Sequence, residues 1–212
     1  MKTSVIVLFV SCFSFSLTAS DDKFVEVMQK NIRLVYEAKS VEELTQAVNA
    51  FERIANSEKT RWEPFYYQAF GNIMLSNHEA DKGKKDQFLD QALAILAKAS
   101  SLKANDSEIV ALEGFVLMMK LSVDPQSRGP VYAPRATATF EKAKVLNPGN
   151  PRALALLAQM QFGSAQFFGS STAEACSTNS EALNKFDAYK PENPLSPQWG
   201  RAMVESMAEK CK

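Results

Sequence analysis

A single histidine, His78, stands among 212 residues. That scarcity removes paired-histidine zinc sites, HExxH centres and most histidine-based catalytic relays. Glycine is scarce too, at 8 residues, and no two lie two positions apart, so GxGxxG cannot occur. The nearest pair, Gly163 and Gly169, also misses the spacing of a phosphate-cradling loop. There is no GxSxG nucleophile elbow. Neither charge is in excess, with 24 Lys+Arg against 24 Asp+Glu. This excludes the basic field that draws in nucleic acid. Asn-Gly and Asp-Gly hairpin signals are missing, as is any sustained period-two alternation. The sequence therefore implies no catalytic constellation, no metal site, no cofactor and no strands. It reads as a binding protein rather than an enzyme.

The first twenty residues read as an export leader. Lys2 supplies the positive start, Val5 to Leu17 an apolar run, and Thr18 and Ser20 the small residues before a cut at Asp21. The run is too short and serine-rich to span a bilayer. A rival reading, lipidation at Cys12, fits less well because the apolar stretch continues through Phe13, Phe15 and Leu17. Residues 1–20 are thus expected to be a signal peptide, 21–212 one domain, and the location exported and periplasmic. Two cysteines then remain, Cys176 and Cys211. An even pair in an oxidising compartment favours a structural disulfide. The geometry agrees: Cys176 lies 13 residues before Tyr189 and Cys211 lies 13 after Gln198. An antiparallel return of two helices brings the sulfurs level.

Helical periodicity covers nearly all of the rest. It places helices over 22–38, 41–56, 62–76, 87–102, 107–121, 134–146, 151–166, 172–189 and 197–211. Ser40 with Glu43 and Ser171 with Glu174 have capping-box spacing. Ser107 suits an N-cap, and Pro134, Pro151 and Pro197 suit first turns. The alternate helices share a phase: Ala47/Phe51, Ala92/Leu96, Ala136/Phe140 and Ala182/Phe186, with alanine offsets of 45, 44 and 46. The intervening helices keep step through Ala69, Gly114 and Ala158. Small residues there let helices approach, and the bulky partner fills the space to the next pair. Hairpins that bury their faces only by stacking form an α-solenoid.

Ala136-x3-Phe140-x2-Ala143, followed by Pro148, Asn150 and a fresh start at Pro151, resembles the second helix of a tetratricopeptide repeat (TPR) and its exit. Ala92, Leu96 and Ala99 match as well. The family's first-helix tryptophan and tyrosine are missing, and the period exceeds the family's roughly 34 residues. The excess falls between the two helices of a hairpin, at residues 76–87, 122–134 and 163–171, expected to be loops on one edge. SRGPVY (127–132), LNPGNPRA (146–153), FGSSTAEA (168–175) and PLSPQWG (194–200) are similar to exported TPR-like proteins of Bacteroidetes-type bacteria. The resemblance implies an all-α, right-handed solenoid of about four hairpins with a C-terminal capping helix. It also implies a concave groove lined by the first helices.

Carried over in phase, that groove takes Tyr66, Phe70, Ile73, Phe115, Met118, Arg152, Gln159 and Phe162. Large apolar anchors with a few polar groups suit a peptide or protein segment. Arg128 and Tyr132, in the inserted SRGPVY segment, offer an alternative: a small-ligand or enzymatic site on a loop. His78, Glu79 and Asp81 are too irregularly spaced for a metal and read as a solvated loop. Asn105-Asp106-Ser107 has the form of a glycosylation sequon but reads more simply as a turn and cap. Phe162, Phe167 and Phe168 read as core more readily than as a ligand stripe.

Overall fold

The computed structural model describes residues 16–212, with side chains from Asp21 onward. The leader's core and Cys12 lie outside the described residues. Nine helices and no strand are present among the described residues: α1 (Ser16–Glu37), α2 (Val41–Ser57), α3 (Glu63–His78), α4 (Lys82–Leu102), α5 (Ser107–Val123), α6 (Pro125–Leu146), α7 (Pro151–Phe168), α8 (Ala173–Ala188) and α9 (Arg201–Lys210). Consecutive helices pack antiparallel, and α3, α5 and α7 also meet one another side by side. This is an all-α helical repeat.

The repeat phase is what holds it together. Ala47, Ala92, Ala136 and Ala182 are each fully buried, as are Phe51, Phe140, Ala69 and Ala158. Leu96 and Phe186 complete the series as buried side chains. Gly114 shows why the position is small. A Cβ there would overlap the Phe140 ring, so the aromatic of α6 lies directly on the backbone of α5. Gly71 likewise leaves room for Val48 of α2.

Caps set the boundaries, with several differences from the sequence reading. Ser40 caps α2 by accepting from the Glu43 amide at 3.2 Å, while Glu43 accepts from the Lys39 amide at 2.7 Å. Asp106, rather than Ser107, caps α5 by accepting from the Glu108 and Ile109 amides. The Ser107 hydroxyl instead donates to the Ala143 carbonyl, tying α5 to the end of α6. Ser171 and Glu174 form no box; Glu174 accepts from Gln161 of α7.

The inserted segments differ most. α4 begins at Lys82 and α6 at Pro125, so most of 76–87 and 122–134 is helix rather than loop. Asp124 caps α6 and Pro125 occupies its first turn, which starts the helix nine residues early. Pro130 and Pro134 then lie inside it. The two segments do share an edge. Arg128 donates to both carboxylate oxygens of Asp86, at 2.7 and 2.5 Å, and to the Lys120 carbonyl at 3.2 Å. Lys120 pairs with Asp86 and Asp90. The Arg128 guanidinium, bonded to Asp86, holds that carboxyl below the usual aspartate range.

Candidate functional site

The concave face is filled by the chain itself. After α8, residues 190–200 turn back across the first helices instead of starting α9 at 197. We refer to them as the strap. Prolines at 191, 194 and 197 keep this segment out of a helix, and the Ser196 amide closes a turn within it by donating to the Asn193 carbonyl at 3.1 Å. Its Trp199 ring lies against Phe70 of α3 and Phe115 of α5, with centroids 5.3 and 5.8 Å away. Trp199 Nε1 donates to the Tyr66 hydroxyl at 2.9 Å. The Tyr67 hydroxyl donates to the Leu195 carbonyl at 2.7 Å, and the Gln198 amide donates to the Tyr36 hydroxyl at 3.3 Å. Gly200, at φ 106°, turns the chain out into α9. A side chain there would press on Phe186 and Arg152.

Five of the groove residues expected to meet a partner are therefore closed off. Tyr66, Ile73 and Arg152 have no exposed surface, and Phe70 and Phe115 are at 5% and 6%. Arg152 holds no external carboxylate. Its Nε and Nη2 donate to Glu108 at 2.7 Å each, and its guanidinium lies 4.5 Å over the Tyr189 ring. Burial pushes the Glu108 carboxyl up, against the pull of Arg152. Burial likewise raises the Tyr66 and Tyr67 phenols well above their ordinary value. Met118 is half-buried against the main core. Gln159 and Phe162 remain half-exposed in a shallow depression of about 300 Å³ with Met203, Met207 and Lys210 of α9. Arg128 is spent on Asp86, and Tyr132 packs on the core beside Arg135. The Cys176–Cys211 disulfide is present, with Cα atoms 5.7 Å apart, and pins α9 to α8.

A second concavity lies at the opposite end from the inserted segments. It is a cleft of about 690 Å³ between the start of α3, the α4–α5 and α6–α7 turns, the end of α8 and the strap. Trp62, Leu146, Tyr189 and Pro197 give it apolar walls. Lys103, Lys185 and Lys190 bring cations to it, and Asp106, Glu108 and Glu192 bring carboxylates. Lys103 sits 4.6 Å over the Trp62 ring and 2.8 Å from Asp106. The Tyr189 hydroxyl donates to the Pro197 carbonyl at 3.0 Å, so the strap forms one wall. Next in sequence to the lining residues Leu146 and Lys103, Val145 and Leu102 stand exposed at 77% and 40%. Concave, partly apolar sites of roughly 300–1,000 Å³ with a few polar groups are the usual form of a small-molecule site.

Sequence reasoning missed both features. The strap had a signal in the prolines at 191, 194 and 197, which argue against helix there but do not say what the segment covers. The cleft had none, because its lysines come from elements distant in sequence.

Among the described residues no helix is long and apolar enough to cross a membrane, and no group of three His, Cys, Asp or Glu side chains is placed to hold a metal. Fold and repeat phase together define a TPR-like helical-repeat protein. No protein-family model matches the chain, and no curated relative matches it by sequence. Among solved structures it is similar to the HusA haemophore from Porphyromonas gingivalis, at 26% identity and a TM-score of 0.79, covering 89% of this chain and 92% of that one. It is also similar to a thermophilic TPR protein from Thermus thermophilus, at 15% identity and a TM-score of 0.55, covering 80% of this chain and 86% of that one. The second likeness shows the fold alone.

Proposed function

We propose that this protein is an exported, non-enzymatic carrier of a planar, carboxylate-bearing tetrapyrrole of the haem class, held in the 690 Å³ cleft. The observation that carries the reading is the near full-length likeness to a haemophore. The cleft's chemistry supports it. Trp62 and Tyr189 offer aromatic walls, and Lys185 and Lys190 offer charge-assisted partners for carboxylates. Leu146 at the cleft, with Val145 and Leu102 next in sequence to lining residues, supplies apolar surface for a hydrophobic ring edge. The disulfide and the leader-like start support export. Periplasmic residence is part of this proposal.

Titrating haemin, and separately metal-free protoporphyrin IX, into the purified protein tests it. The expected result is saturable one-to-one binding with a shifted Soret band and quenched Trp62 emission. Reversing two cleft charges, Lys185→Glu with Lys190→Glu, is expected to weaken binding about 10- to 100-fold, since a hydrogen bond to a charged group contributes about 1.5–3 kcal/mol. Absence of saturable binding by either compound would overturn the reading. The TPR-like fold also supports a protein-binding role, but a peptide would have to bind outside the strap-filled concave face. Half-exposed Gln159 and Phe162, in the depression beside α9, are the part of the expected groove still open to it.

A further inference from the structure

At the end of the stack opposite the cleft, α7 closes on two adjacent aromatics that are not in the core. Phe167 is 60% exposed and Phe168 is 78% exposed, the two most exposed phenylalanines in the described chain. Their rings meet edge to face with centroids 5.1 Å apart. They do not hang on a floppy loop. Gly169, at φ 65°, terminates the helix, and its amide and that of Ser170 donate to the Gln166 and Ala165 carbonyls. The pair is therefore held in place at a capped helix end.

The chain around the pair is uncharged. Residues 162–173 (FGSAQFFGSSTA) contain no charged side chain, and neither do residues 129–134 (GPVYAP) at the start of α6, between Arg128, which Asp86 neutralises, and Arg135. α6 and α7 are antiparallel, and Val131 and Phe167 each lie about 22–24 Å from the 147–150 turn at about 1.5 Å per residue. Both uncharged segments thus stand at one end. Val131 is itself 54% exposed.

Size decides what can cover this patch. A covered aromatic side chain buries about 150–250 Å², so the exposed fractions of the pair offer about 300 Å². A stable dimer or protein complex needs about 800 Å² from each partner. The pair stands exposed at the end of α7, open to a flat surface. We infer that this aromatic tip seats shallowly in the interfacial region of a lipid bilayer. Because the chain on either side of the aromatics carries no charge, a zwitterionic surface suffices. Binding this small is weak and reversible, comparable to or weaker than a single acyl chain.

Co-sedimentation of the purified protein with phosphatidylcholine vesicles tests the inference. A bound fraction that saturates with lipid is expected. It should change less than about twofold when anionic phosphatidylglycerol is added or when salt is raised about tenfold, because screening acts only on charge. Phe167→Ser with Phe168→Ser should lower binding at least about tenfold while leaving the thermal midpoint and the haemin titration unchanged. Phe167→Trp with Phe168→Trp should retain binding, and the added tryptophan emission should shift to the blue on vesicles. Three results would overturn the inference: no vesicle binding, binding that requires anionic lipid, or a solution dimer that the serine variant dissolves. Haemin affinity that falls with the serine pair would instead assign the tip to the ligand.

Discussion

At the residue scale, the buried Arg152 makes the sharpest prediction. Its guanidinium has no exposed surface and depends on Glu108 for both charge-assisted bonds. Removing one partner of a buried pair leaves an uncompensated charge, which costs about 3–5 kcal/mol. Arg152→Met should lower stability by that amount in a denaturant titration, and Arg152→Met with Glu108→Leu should recover most of it. The sequence placed Arg152 on the right helix face but could not say which charge would meet it, because Glu108 lies 44 residues away. The glycines make a paired prediction. Gly114→Ala forces the Phe140 ring aside and should destabilise by about 1–3 kcal/mol. Gly163→Ala, in an exposed helix position with nothing within 4 Å, should stabilise by about 0.5–1 kcal/mol. That contrast was half legible: Gly114 fell in the alanine phase and Gly163 did not. Asp86 supplies the pH dependence. Arg128 depresses its carboxyl below the ordinary range, so the stabilisation is present above that range and is lost as pH falls through the lowered value. Arg128→Met should reduce stability at neutral pH and shrink the further loss on acidification. Denaturation curves from neutral pH into the acid range measure this.

At the element scale, the helices were legible wherever an apolar stripe met a cap. Residues 41–56 were expected and α2 runs Val41–Ser57; residues 151–166 were expected and α7 runs Pro151–Phe168. The early start of α6 was not, because two prolines inside a segment argue against helix. Here Asp124 and the Arg128–Asp86 pair carry the weak first turns. The strap failed for the opposite reason. Pro197 was read as the first turn of a ninth helix, whereas residues 190–200 form a non-helical, turn-containing segment that fills the groove. Its anchor makes a prediction: Trp199→Ala should destabilise by about 3–5 kcal/mol, as for other buried aromatics. The disulfide makes another. Closing 35 residues of sequence contributes about 3–4 kcal/mol in the chain-entropy model, so reduction should lower the melting midpoint by about 10 °C, read by calorimetry with and without reductant.

At the scale of the whole molecule, an array of stacked hairpins is ordinarily a one-dimensional object. Each unit touches only its neighbours, and terminal units can fray while the middle stays folded. The strap changes that connectivity. One short segment bonds to Tyr36 of α1, to Tyr66 and Tyr67 of α3 and to Arg152 of α7, and its tryptophan lies on Phe115 of α5. Residues 162 positions apart are thereby joined directly. The melting statistics should follow: in place of repeats that open in sequence from the ends, the domain should unfold as a single unit. Probes at the two ends of the chain should then report coincident transitions. In Trp199→Ala the same probes should separate, with the first hairpin releasing before the last, and the protein should revert to the graded behaviour of an open array.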